Sequence, residues 1–168
     1  DRPETGYGYL ELADGSDAGA DLPQPLRGFV EKPDAARAVE MLAAGRFLWN
    51  AGIFLFTVRA ILEAYQTHAP DMLAQVQAAV DTAQTDLGFT RLGADAWAEV
   101  ADISIDYAIM EKAKNLSVMP FTGRWSDLGG WDAVWREGTG DADGNVLSET
   151  ATAMGCENTL LRADSPGQ

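Results

Sequence analysis

Glu31 and Lys32 stand side by side before Pro33, Asn50 interrupts the most apolar segment of the chain, and Asp106 and Asp127 follow Ser-Ile and Trp-Ser. They fall in four clusters, Phe29-Val30-Glu31-Lys32-Pro33, Trp49-Asn50-Ala51-Gly52, Ser104-Ile105-Asp106-Tyr107 and Trp125-Ser126-Asp127-Leu128-Gly129-Gly130-Trp131. Each lies where a hydrophobic run ends, which is where a sheet presents side chains to a ligand. A carboxylate accepts hydrogen bonds from vicinal hydroxyls and an ammonium neutralises a phosphate, so Glu31 with Lys32 suits a phosphorylated sugar. Neighbours along a strand face opposite ways, so the pair can act together only if the strand end is twisted or open. Taken alone, the dipeptide reads more simply as a solvated strand end.

Asn50 needs partners for its carboxamide, from backbone or from ligand, and Ala51-Gly52 leaves room for a substrate. Asp106 has a plain alternative as helix cap, shared with Ser104. Asp127 precedes a Leu-Gly-Gly turn whose glycines permit positive φ. A carboxylate there can hold Mg²⁺, which keeps several waters while bridging to substrate phosphates. Gly8 can expose its backbone amide to a ligand.

These groups must be positioned by strands alternating with helices, an α/β domain with a mixed central sheet. Residues 7–12 and 26–30 read as strands. Pro33 stops the second, and Asp34 caps a helix running to about Ala44, with Gly45 at its C-terminus. Residues 47–56 are apolar and aromatic apart from Asn50, the pattern of a strand buried on both faces. Thr57 caps a helix with an apolar stripe of Val58, Ile61, Leu62 and Tyr65, and another follows Pro70. Residues 82–93 read as loop, 106–113 as helix, 116–120 as strand and 130–136 as a short helix. Residues 139–168 change texture, so the chain is divided at 138/139, with a β element expected to begin after the Asp141–Asn145 turn.

With 168 residues, 46% of them hydrophobic, the chain can bury a sizeable core. Its net charge of −14 repels phosphate backbones and argues against nucleic-acid binding. No apolar run of about 18 residues suggests a membrane span, and nothing at Asp1-Arg2-Pro3-Glu4 reads as a signal peptide. One cysteine, Cys156, cannot make an internal disulfide, which is compatible with a reducing cytoplasm. The single histidine, His68, offers no His-based metal site. A homo-oligomer is compatible with the sequence.

Taken in order with Thr5-Gly6-Tyr7-Gly8-Tyr9, and with the third cluster extended through Ala108-Ile109-Met110-Glu111-Lys112, the four clusters resemble the mannose-1-phosphate guanylyltransferase family. The resemblance is to the bacterial form, often fused to a mannose-6-phosphate isomerase domain. It implies part of a Rossmann-like nucleotidyltransferase domain, followed by the start of a β-helix-like segment. The implied reaction makes GDP-mannose and pyrophosphate from GTP and mannose 1-phosphate with Mg²⁺. It implies that Glu31 and Asn50 hold mannose hydroxyls, Lys32 the sugar phosphate, Gly8 a sugar contact through its backbone and Asp127 the metal. Lys32 and Asp127 would thus be catalytic, with Asp106 near the sugar phosphate. The family's Gly-rich nucleotide loop has no counterpart here, so the chain reads as the sugar-binding half of a longer enzyme, inactive alone. A nucleotidyltransferase of other base or sugar, or a non-catalytic nucleotide-sugar sensor, are the alternatives.

Overall fold

The computed structural model describes residues 2–163 and divides into two compact units between Thr122 and Gly123. In the first unit a four-stranded sheet has β3 (Phe47–Trp49), β1 (Tyr9–Leu12), β2 (Gln24–Val30) and β6 (Ser117–Val118) in that order, antiparallel at every pairing. Side chains alternate between its faces, as pleating requires. On one face Tyr9, Val30, Phe47 and Trp49 pack with Ala38 and Met41 of α1 (Ala35–Ala44). On the other, Leu10, Phe29 and Leu48 pack with Ile105 and Met110.

α1 is capped as its sequence predicts. The Asp34 side chain accepts from the Arg37 N–H, and Gly45 takes the left-handed conformation at φ 67°. α2 (Val58–His68) begins with the Thr57 side chain accepting from the Ala60 N–H. Its apolar stripe is not buried, for Val58 is 75% exposed. α3 (Pro70–Asp81) follows.

Four expectations are corrected in this unit. The strand expected over 47–56 stops at Trp49, because the Asn50 side chain accepts from the Gly52 N–H and Gly52 turns at φ 68°. The apolar residues beyond leave the sheet, and Leu55 is fully exposed. Within 82–93 the chain forms a hairpin, β4 (Gln84–Asp86) with β5 (Phe89–Arg91), turned through positive φ at Leu87 and Gly88. A short helix, α4 (Ala94–Ala98), follows. The helix expected over 106–113 is a five-residue π-helical turn, Asp106–Met110, in which the Glu111 N–H bonds the Asp106 carbonyl. The strand expected over 116–120 is only two residues long.

The second unit holds α5 (Trp131–Glu137) and a parallel pair, β7 (Val146–Leu147) with β8 (Leu160–Leu161). Asn145 is its buried centre. Its carboxamide donates to the Cys156 carbonyl at 3.0 Å and accepts from the Thr159 N–H at 3.1 Å. The Asp141 carboxylate in turn accepts from the Asn145 N–H, which first of all holds Asp141 below the ordinary carboxylate range. Among the described residues no helix is long and apolar enough to cross a membrane.

Candidate functional site

The strand register determines which polar groups meet. Tyr9 pairs with Val30 on one side and with Trp49 on the other. One residue further out, Gly8 therefore lies beside Glu31 and Asn50, at one end of the sheet. Tyr9, Val30 and Trp49 face α1, so alternation turns the residues beyond them to the opposite face, over Leu10 and Phe29. That face also carries the π-helical turn.

Contacts follow from this register. The Asn50 N–H donates to the Gly8 carbonyl at 2.8 Å. The Glu31 carboxylate lies directly over Gly8, where an added Cβ would stand 2.6 Å from Glu31 Oε2 and 3.0 Å from the Phe29 ring. Gly8 is thus a close-approach glycine whose space is taken up by Glu31. Asn50 Nδ2 donates to Asp106 Oδ1 at 3.3 Å. Its carboxamide has both a backbone and a side-chain partner, and two of the four clusters meet through it.

Alternation alone would send Lys32 to the α1 face. Instead its φ of 46° turns the chain through a left-handed corner, and its Nζ lies 3.4 Å from Glu31 Oε1. This is the open strand end that the two residues need in order to act together. The Lys32 side chain is exposed while that of Glu31 is 9% exposed. Burial, first, and the neighbouring Asp106 charge push the Glu31 carboxyl above its ordinary range. Lys32 pulls it back in part, and Glu111 adds to the rise.

Asp106 does not cap the turn it opens; the Ser104 hydroxyl accepts from the Tyr107 N–H instead, at 3.4 Å. Its carboxylate is therefore available to Asn50. Glu111, to which the sequence reading assigned no role, accepts from the Glu31 N–H at 2.9 Å. Helical periodicity hides this, since residues five apart fall about 140° apart around an α-helix.

Asp127 belongs to the second unit, where its exposed carboxylate crowds Gly129: a Cβ there would meet Oδ2 at 2.5 Å. The positive φ expected of Gly129 or Gly130 falls on Leu128, at 50°. A single oxygen donor of this kind fits Mg²⁺ that keeps most of its waters. Among the described residues no three His, Cys, Asp or Glu converge on one point as a metal cage.

Residues 1–144 match the family model described as nucleotidyl transferase. The chain is 43% identical over 159 residues to a mannose-1-phosphate guanylyltransferase of Sinorhizobium fredii, covering 95% of this chain and 30% of that protein. It is 37% identical over 166 residues to an alginate biosynthesis protein of Pseudomonas aeruginosa, covering 97% of this chain and 34% of the other. A solved structure titled mannose-1-phosphate geranyltransferase, from Thermus thermophilus, superposes with a TM-score of 0.74 at 31% identity, over 98% of this chain and 46% of that one. The chain spans about a third of the length of the curated relatives it matches.

Proposed function

Because the chain belongs to the nucleotidyl transferase family, we propose that it is the sugar-phosphate-binding part of an enzyme that makes GDP-mannose and pyrophosphate from GTP and mannose 1-phosphate. The observation that carries this reading is the meeting of Gly8, Glu31 and Asn50 at one sheet end, with Lys32 folded back beside Glu31. Glu31 accepts from mannose hydroxyls, and the Asn50 carboxamide, steadied by Asp106 and Gly52, adds a donor and an acceptor. Lys32, on the exposed side of the corner, neutralises the sugar phosphate. Gly8, expected to touch the sugar through its backbone, instead leaves the space that the Glu31 carboxylate occupies. The work of these residues is positioning and charge neutralisation, which dominate phosphoryl-type transfers.

The relatives named for mannose 1-phosphate and for alginate biosynthesis support the choice of sugar and a role in polysaccharide production. Asp127 would hold Mg²⁺, which when bound offsets the charge on the phosphates. The parallel β7–β8 pair, joined through Asn145, supports reading the C-terminal segment as the start of a β-helix. The 168-residue chain alone, without a Gly-rich nucleotide loop, does not turn over.

The test is pyrophosphate release by the full-length protein from GTP, mannose 1-phosphate and Mg²⁺, beside the 168-residue chain. Release by the former and not by the latter is expected. Preference for UTP or for glucose 1-phosphate would overturn the base or the sugar, and turnover by the chain alone would overturn its partial character. Lys32→Ala and Asp127→Ala should each cripple the full-length protein; near wild-type rates in both would sink the site.

A further inference from the structure

We propose that Glu111 is a positioning residue: its carboxylate holds the peptide N–H of Glu31 and thereby sets where the Glu31–Lys32 corner presents its two charged groups. The substrate half of this inference rests on the function proposed above, and the hydrogen-bond half does not. Glu111 Oε1 accepts from the Glu31 N–H at 2.9 Å, across 80 residues of chain. That N–H lies one residue past the end of β2. The next residue, Lys32, sits at φ 46°, a conformation that costs an L-residue energy and persists where its surroundings over-determine it. A bond to the N–H of the residue immediately before it supplies such a constraint.

The wide turn explains how Glu111 gets there. Its i→i+5 bond, from the Glu111 N–H to the Asp106 carbonyl, brings the chain back to the same side after five residues, which α-helical geometry does not. One turn thus serves two of the polar residues of the site: Asp106 holds the Asn50 side chain and Glu111 holds the Glu31 backbone. The turn itself is well anchored. Ala108, Ile109 and Met110 are buried, and Met110 packs with Leu10 and Phe29 beneath the corner. On its far side Lys112 Nζ donates to the His68 carbonyl, the last of α2, at 3.4 Å. Glu111 is exposed, but its backbone is fixed on both flanks. A bystander carboxylate serving only solubility would have no reason to sit against a second carboxylate, whose ionisation it opposes.

Glu111→Ala removes the acceptor, whereas Glu111→Gln keeps an acceptor oxygen without the charge. In the full-length protein, hydrogen exchange of the peptide containing the Glu31 amide, read by mass spectrometry, should quicken about tenfold in Glu111→Ala and little in Glu111→Gln. With an active enzyme, the KM for mannose 1-phosphate should rise about tenfold in the alanine variant, with the GTP KM unchanged and the glutamine variant close to wild type. Unchanged exchange in Glu111→Ala would overturn the proposal. So would a mannose 1-phosphate KM within twofold of wild type, an equal rise for GTP, or glutamine behaving as alanine. A wild-type protein that does not use mannose 1-phosphate would instead refute the proposed function, while the exchange contrast between the two variants would still decide the role of Glu111.

Discussion

Replacing Gly8 with Ala is the sharpest perturbation of the sheet end. An added Cβ would stand 2.6 Å from Glu31 Oε2, 3.0 Å from Phe29 Cζ and 3.3 Å from Asn50 Cβ. These neighbours differ in how they can yield. Phe29 is buried in the core and Asn50 is tied to Gly8, Gly52 and Asp106, whereas the Glu31 carboxylate ends a flexible side chain. The carboxylate therefore moves. Gly8 does not adopt a positive φ, so the penalty is steric and not conformational. Overpacking of this sort costs about 1–3 kcal/mol, and alanine recovers about 0.4–1 kcal/mol by restricting the unfolded chain. A net loss of about 0.5–2 kcal/mol is expected. Binding should suffer more, because the displaced carboxylate is the group proposed to hold the sugar. The assay is urea unfolding of wild type, Gly8→Ala, Glu31→Ala and the double variant, with a mannose 1-phosphate titration of each. In the Glu31→Ala background the crowding oxygen is gone and its share of the stability penalty should vanish, a coupling of about 0.5–1 kcal/mol, while the contacts with Phe29 and Asn50 keep the rest. Equal penalties in both backgrounds, or no penalty in either, would refute the packing argument.

Lys32→Gly should be about 1 kcal/mol more stable than Lys32→Ala, reversing the usual order of the two residues, because only glycine is at ease at φ 46°; both should lose affinity for mannose 1-phosphate in the same titration. The folded-state pKa of Glu31 lies above its unfolded value, so its stabilising contribution is complete below the unfolded pKa and is lost as pH rises through the folded one. Glu31→Gln should accordingly gain stability over wild type near neutral pH, and the gain should shrink on acidification when both are followed by denaturant unfolding. In the same acidic window, protonation of wild-type Glu31 should weaken sugar binding. Asn145→Ala strands the Cys156 carbonyl and the Thr159 N–H and should cost about 2–4 kcal/mol, read as lost exchange protection around β7 and β8.

Local signals in the sequence were reliable where one residue decides the outcome. Asp34 and Gly45 bound α1, and Thr57 starts α2, because caps act through their own side chain or their own φ. The candidate residues are legible as types, and Gly8, Glu31, Lys32, Asn50 and Asp106 lie together in the first unit, with Asp127 in the second. What stayed hidden depends on geometry that periodicity does not encode. The end of the strand at Trp49 is hidden because an apolar run looks the same before and after a side chain that bends it. The hairpin at 84–91 leaves no signal because Gln84-Thr85-Asp86 lacks apolar alternation and its turn is Leu-Gly in place of the favoured Asn-Gly. The role of Glu111 is hidden because its meeting with Glu31 comes with a turn wider than an α-helix.

The left-handed corner at Lys32 also bears on how an anion would arrive. Its ammonium already faces the Glu31 carboxylate at 3.4 Å, so an incoming phosphate does not meet an isolated cation but takes the place of a resident one-charge partner. Binding there, on the proposed function, would be an exchange of counter-ions within the protein. The electrostatic gain is the difference between a phosphate and a carboxylate at the same ammonium, and the released carboxylate becomes available for a sugar hydroxyl in the same event. On the proposed function, phosphate and sugar would then be recognised as one unit, which inorganic phosphate or free mannose alone would not reproduce.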